Sequence, residues 1–539
     1  MSQDWDYIVV GAGSSGCVLA ERLSADGRSR VLLLEAGGEN GFWNQLPKGV
    51  AKLVGNPEKV WLYKVTQPRE EGAEANEFWI RGKGLGGSSS VNGMIWSRGE
   101  PEDYDAWERD KGATGWNGAT MTEAFKQLED HAAGASDMRG SGGPVYVDPA
   151  IYSYPLAERI IDAGETMGLR RVDDLNGTTG PRVGLYSHNV KRGKRQSAAV
   201  TFLEPARSRE NLDVVTHALA ERIVFDGKRA IGVEARVRGQ KRTFECRGEV
   251  IVCAGAMESP LLLQRSGIGS GERLKAAGVE LVAESPDVGE RMIEHLAVSF
   301  PYRLEKGKGT HRNFYGLGLA RAMARYLVTG GGIMATGPFE VGAFLNVFNP
   351  DGRTDAQFYL GAYTFEIGDD NDPVPLDKID RRPGVTIYGQ LLRLTSEGSL
   401  QIAGPSLDDA PVITPNFLTT EHDRRSAIAL VRRMREFMDS EPLGSMLGEE
   451  VLPGRDVDSD EEILASFRRL ATCGLHAIGT CRMGSDNRAV TDPKLKVNGV
   501  EGVRVVDCSV MPGHVTGNTN APAMALGLVA SKLILEDRP

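Results

Sequence analysis

The stretch DYIVVGAGSSGCVLAERLSADGRSRVLLLEAGG, residues 6 to 38, leaves the start of this chain few ways to fold. YIVV is a β-branched run, CVLAERL has helical apolar spacing, and VLLLE is a second strand of the buried type. Between the first strand and the helix, Gly11, Gly13 and Gly16 form GxGxxG, and Glu35 closes the second strand about 24 residues after Gly11. Gly11 permits the tight turn, Gly13 lets the backbone approach a pyrophosphate, and Gly16 lets helix and strand pack closely. The helix N-terminus attracts the phosphate charge, and Glu35 is placed to accept hydrogen bonds from a ribose. Ser14, Ser15 and Ala36 flank these positions and are expected to touch the same dinucleotide. The fingerprint alone does not separate one dinucleotide from another.

Size and charge narrow the class. At 539 residues, 41% hydrophobic and 25% charged, the chain is expected to form two closely packed domains. Lys+Arg 63 against Asp+Glu 73 gives a net charge of -10 without a long run of either sign, which disfavours a nucleic-acid partner. No apolar stretch reaches roughly 18 residues, so no integral membrane segment is expected. The six cysteines are scattered without CxxC spacing, which reads as reduced, buried residues and no metal site. With no signal-peptide pattern at the start, the expected location is cytoplasmic. Oligomeric state stays open.

Two further blocks point to a family. GKGLGGSSSVNGMIWSRGEPEDYDAW (82 to 107) resembles the first signature of the glucose-methanol-choline (GMC) oxidoreductases, GAMESPLLLQRSGIG (255 to 269) resembles the second, and VGERMIEHL (288 to 296) resembles a block that follows it. The resemblance implies FAD, an α/β fold (α+β overall) with a Rossmann-like FAD-binding domain, and a substrate domain built on an antiparallel sheet flanked by helices. Along the flavin and diphosphate it places Gly86, Ser90, Asn92 and Gly93. Near the adenosine half it places Ala254 and Gly255, with backbone groups around Ile223 and Val224. Some members attach FAD through a histidine at the position of Val91. Valine cannot form that bond, so the FAD is expected to be non-covalent.

The chain has eight histidines, and context selects among them. CGLHAIGTCRMG (473 to 484) and VRVVDCSVMPGHVTGNTNAP (503 to 522) resemble the family's C-terminal blocks. These imply His476 facing the flavin and Asn518 as its partner, with Asp507 near the ribityl chain and Asn520 and Pro522 as cofactor contacts. His514, four positions before Asn518, falls on the approach loop. The chemistry suits these residue types. An imidazole titrating near neutrality can take a hydroxyl proton, and an amide N–H can hold the alcohol oxygen without titrating. The helix-like PAMALGLVASKLILED would aim its positive end at the flavin.

By resemblance, residues 1–150, 205–295 and 470–539 make the FAD-binding domain, and 151–204 and 296–469 the substrate domain. Strands are expected at AQFYLGAYTF, VTIYGQLLRL and GSLQIAG, and a helix near the entrance at HRNFYGLGLARAMARYL. Met334, Phe339 and Phe344 are candidates for pocket walls. Glu340 is read either as a solvated or capping residue or as a contact to a polar or cationic substrate group. The expected reaction is oxidation of a primary alcohol to an aldehyde, and onward to an acid through the hydrate, with oxygen or a quinone or other redox acceptor as partner. The alternative within the family is a hydroxynitrile-type lyase that keeps FAD without net redox.

Overall fold

The computed structural model describes residues 5–70, 73–149, 152–367 and 378–538. The expected domain boundary at 150/151 lies outside the described residues. Two sheets, each with its own apolar core, organise the rest.

The first sheet grows from the opening strand. Trp5–Val10 pairs in parallel with Val31–Leu34 on one side and Gln240–Val252 on the other. Leu212–Val215 extends the sheet beyond Val31–Leu34, and Val503–Val505 extends it beyond the end of Gln240–Val252, both again parallel. Strands covered on both faces need continuous apolar runs, which is what VLLL and VIV supply. The 13-residue strand Gln240–Val252 also serves a second purpose: its first half leaves this sheet and joins Arg229–Val237 and Ala218–Asp226 in an antiparallel meander. Helices Ser14–Ser24 and Asn520–Glu536 pack on each other within this core. The second of them is buried around most of its circumference, as its nearly uniform apolar sequence requires.

The second sheet runs Leu447–Glu450, Leu296–Leu304, Gly384–Leu391, Ala356–Gly361, Val341–Leu345, Arg182–Leu185, Arg170–Arg171, antiparallel until its last pair. Its register decides what faces the first domain. Phe344, Gln357 and Gln390 lie opposite one another in one row, and Gly342, Tyr359 and Tyr388 in the next. Side chains two apart share a face. The intervening residues Ala343, Phe358, Leu360 and Ile387 point the other way, into a core shared with helix Glu421–Asp439. Thr472–Cys473 pairs with Leu296–Ala297, which sets Gly474 against His295.

Some expectations are corrected. GSLQIAG forms the expected strand, Ser399–Gln401, but instead of joining the antiparallel sheet that backs the pocket it pairs with Val412–Thr414 in a separate two-stranded sheet. Ala198, Ala199, Phe202 and Leu203 belong to the first core, so the return to the cofactor side precedes residue 205. The segment from His311 divides into a 3-10 turn, His311–Phe314, and the helix Gly316–Thr329, where Gly316 takes φ +55.

Candidate active site

The glycine loop is shaped for a ligand that lies outside the protein's own packing. A Cβ at Gly16 would sit 1.9 Å from the Gly11 carbonyl oxygen, and one at Gly11 would sit 2.5 Å from that of Cys253, so the fold itself demands both glycines. At Gly13 a Cβ would meet only Cys253 O, at 3.7 Å, an ordinary contact. The protein thus leaves open space where the fingerprint expects a pyrophosphate. Gly84, Gly86 and Gly87 cross this site with φ between +51 and +131, a left-handed path open chiefly to glycine.

Two helix N-termini converge here. Ser14 Oγ donates to Asn520 Oδ1 at 2.8 Å, Ser15 Oγ donates to Ala523 O at 2.8 Å, and Asn520 Nδ2 is buried with no partner. A buried amide donor without an acceptor is costly unless something supplies one. Pro522 sits in the first turn, where its missing N–H costs nothing. These residues fit the phosphorylated, hydrogen-bond-accepting cofactor expected from the sequence.

Other expected cofactor residues prove to be partly committed. Glu35 accepts from the N–H groups of Ala12, Gly37 and Gly84 at 2.8–2.9 Å, which ties three loops together and leaves about one of its four lone pairs for a ribose. Ala36 lies beside it, partly exposed. Asp507 accepts from Gly255 N and Ser259 Oγ through one oxygen and from Ser509 N through the other. Burial raises both carboxyls above their usual range. The Ile223 N–H donates to Ser266 Oγ at 2.8 Å, which leaves its carbonyl and the backbone of Val224, next in the same strand, for an adenine. The Ser90 hydroxyl donates to Leu85 O, which makes it a staple of its loop. Asn92 accepts from Arg195 at 2.7 Å and from Met94 N through its oxygen, while Gly93 packs under Pro338. Ala254 and Gly255 open a helix, with φ +85 at Gly255 and no atom near where a Cβ would stand. Val91 is buried against Leu53, Val60 and Ile80.

His476 and Asn518, which are 42 residues apart in the chain, meet at the sheet face. The Asn518 amide nitrogen lies 3.1 Å from His476 Nε2 and donates to Tyr359 OH at 3.2 Å, while its oxygen accepts from Gln357 at 3.3 Å. Tyr359 OH lies 2.6 Å from Gln390 Oε1, and Gln390 and His295 Nδ1 each lie 3.1 Å from His476 Nδ1. Leu475 is held at φ +63, a conformation that bulky residues adopt reluctantly, and this turn presents His476 to the site. The backbone N–H groups of His476 and His295 both donate to one oxygen of Glu294, at 2.6 and 2.9 Å, and Arg81 pairs with its other oxygen at 3.2 Å.

Both ring nitrogens of His476 face polar partners. A neutral imidazole carries one N–H. The Asn518 amide nitrogen faces Nε2, and the Gln390 amide nitrogen and His295 Nδ1 face Nδ1, the Gln390 oxygen being taken by Tyr359 OH. With the proton on Nδ1, shared with His295, the lone pair on Nε2 is the basic site. Burial pushes the His476 imidazole down to about 3, with Arg81 adding repulsion, which keeps the ring neutral. Burial likewise holds His295 well below its usual value, with His476 contributing, and raises Glu294 to about 7 against the pull of Arg81.

His514 lies near His295, whose imidazole its charge disfavours, but bonds elsewhere. Its Nε2 donates to Leu394 O at 2.7 Å, and burial lowers it to about 4. Phe339 rests on Tyr359 and Tyr388, with ring centroids 5.8 and 6.1 Å apart, and so lines the sheet face; Phe344 packs on Tyr186 beside it. Met334 instead packs under Tyr326 and belongs to the base of the Gly316–Thr329 helix. Glu340 is neither solvated nor free: it is 4% exposed, pairs with buried Lys48 at 3.2 Å and accepts from Thr336 at 3.0 Å. Residue-by-residue reading missed His295, Gln357, Tyr359, Gln390 and Glu294. The block VGERMIEHL held two of them, and the alternation in AQFYLG, with Gln357 and Tyr359 two apart, was the signal for two more.

The chain is similar to known proteins along nearly its whole length. Family models described as GMC oxidoreductase match residues 5–297 and 395–527. The oxygen-dependent choline dehydrogenase of Burkholderia lata is 36% identical, with 99% of this chain and 93% of that protein covered; that of Ectopseudomonas mendocina is 35% identical, covering 100% and 95%. Among solved structures, pyridoxine 4-oxidase from Mesorbium loti superposes with a TM-score of 0.88 at 29% identity over 99% of this chain and all of that one. A formate oxidase, at 23% identity and a TM-score of 0.90 over 100% and 99% of the two chains, shares the fold. A dinucleotide cradle, a His–Asn pair at a sheet face and matches across nearly the whole length together place this chain in the GMC oxidoreductase family, FAD enzymes acting on CH–OH donors.

Proposed function

We propose that this enzyme oxidises a primary alcohol to an aldehyde, and onward to an acid where the aldehyde hydrate re-enters the site, with His476 as base and Asn518 as its partner. The observation that carries the reading is the 3.1 Å approach of the Asn518 amide to His476 Nε2, which marks one point where a hydroxyl group can both lose a proton and be held. A neutral His476 is ready to accept that proton. Asn518 Nδ2 then donates to the alkoxide oxygen, whose charge weakens the neighbouring C–H bond. In this reading the His476 proton sits on Nδ1, facing His295, and Nε2 is the accepting atom. When bound, FAD supplies a hydride acceptor at N5. Gly11, Gly13, Gly16, Glu35, Gly86, Asn92, Ala254, Gly255, Asn520 and Pro522 are the residues proposed to hold it. Its attachment is non-covalent, because Val91 offers no nucleophile. The cofactor side is assigned to residues 1–150, 205–295 and 470–539, with its second segment beginning a few residues before 205. A cytoplasmic location fits the reduced, unpaired cysteines.

The test is anaerobic mixing of the purified protein with benzylic, allylic and aliphatic alcohols. Loss of flavin absorbance supports the reading, and an unchanged spectrum with every alcohol rejects it in favour of a lyase-type use of the same site. Subsequent admission of air, then of a quinone or dye, identifies the acceptor.

A further inference from the structure

We propose that the outer face of the Gly316–Thr329 helix is a docking surface for an anionic lipid bilayer. Only Tyr326 of this helix is fully buried; Leu319, Ala322 and Met323 support it from below. On the other side, Leu317 is 77%, Leu327 66% and Val328 85% exposed, with exposed Ala320 and Ala324 between them. Positions 317, 320, 324, 327 and 328 fall on one side of a helix. The next most exposed large hydrophobic side chain among the described residues, Phe78, reaches 55%, so this face concentrates the chain's exposed aliphatic surface.

Charge identifies the occupant. The protein as a whole carries -10, yet between Glu305 and Glu340 it has Lys306, Lys308, Arg312, Arg321 and Arg325 and no acidic residue. The hairpin Val190–Arg195, with Lys191, Arg192 and Lys194, adjoins the end of the helix: Tyr326 OH donates to Gly193 O at 3.1 Å, and a Cβ on Gly193 would sit 2.2 Å from Gly330 O. The short helix Phe42–Gln45 packs on this hairpin and adds two half-exposed rings, Phe42 and Trp43. An aliphatic stripe flanked by arginines, with aromatic rings nearby, matches a helix that lies in the headgroup region of a membrane. A second copy of the chain meeting this face about a two-fold axis would set arginine against arginine, which disfavours self-association.

Flotation of the full-length holoenzyme with phosphatidylcholine vesicles, with and without phosphatidylglycerol, tests the proposal. Binding is expected on the phosphatidylglycerol vesicles and is weakened by salt. Each basic residue near such a surface is worth about a fivefold change in partition, so Arg321→Ala/Arg325→Ala is expected to lower binding roughly 25-fold. Leu317→Asp/Val328→Asp is expected to abolish it while alcohol oxidation with a soluble dye stays at the wild-type level, since these side chains point into solvent. Absence of wild-type binding to either vesicle overturns the proposal, as does binding that Leu317→Asp/Val328→Asp leaves intact. A wild-type dimer that this variant splits, without vesicle binding, overturns it in favour of self-association. Flavin reduction by alcohols is read separately, so docking can fail while the oxidation reading stands.

Discussion

The Asn518 amide nitrogen and His476 Nε2 stand 3.1 Å apart, held from opposite sides by Tyr359 and by the His295–Gln390 pair. One nitrogen donates and the other accepts, which is the arrangement needed around an alcohol oxygen that loses a proton. Removal of a positioned base costs about 10²–10⁴ in rate. His476→Ala is therefore expected to lower the rate constant for flavin reduction by that factor with FAD still bound. Asn518→Ala, which removes a donor to developing charge, is expected to cost about 10²–10³. His514→Ala is expected to leave flavin reduction near wild type, because its ring bonds to Leu394 outside the network. Stopped-flow absorbance checks all three.

Glu294 couples the site to pH. Burial raises its carboxyl to about 7 from an ordinary value of 4.5. Between these values the native state holds a proton that the unfolded chain has released, so stability falls as pH rises through this window and is fully retained below it. Glu294→Gln is expected to flatten that part of the profile. Melting temperatures of both proteins from pH 4 to 8 give the comparison, with a parallel decline in the variant as the adverse outcome.

The glycine loop separates folding from cofactor binding. Gly16→Ala is expected to prevent folding, since its Cβ would overlap the Gly11 carbonyl. Gly13→Ala is expected to fold, with a cooperative melt, and to bind FAD weakly, because the space it fills is left open by the protein. Circular dichroism and the flavin-to-protein absorbance ratio distinguish the two.

Lys48 and Glu340 form a buried pair, 9% and 4% exposed at their side chains. Lys48→Met strands the carboxylate and is expected to cost about 3–5 kcal/mol of stability, whereas Lys48→Met/Glu340→Leu recovers most of the loss. Urea denaturation of the single and double variants measures this.

How far the sequence could be read depended on whether the signal was local. The strand–turn–helix opening, Glu35 and the helix after Pro522 were legible because each is set by spacing within a short window. The His476–Asn518 pairing followed from family blocks alone, since nothing local to residue 476 points to residue 518. What stayed hidden is built by sheet register. Gln357, Tyr359 and Gln390 reach the site only because Phe344, Gln357 and Gln390 align across three strands. His295 meets His476 only because Thr472–Cys473 pairs with Leu296–Ala297. Burial is equally non-local, which is why Glu340 reads in sequence as a solvated, capping or substrate-facing acid and proves to be an ion-paired interior one.

The most direct measurement of the central claim is single-turnover flavin reduction by benzyl alcohol and its α-deuterated form, in wild type and His476→Ala, without oxygen. Wild type is expected to bleach, more slowly on deuteration, and the variant at a rate lower by about 10²–10⁴. Bleaching of the variant at the wild-type rate, or wild-type bleaching indifferent to the α-deuterium, would contradict it.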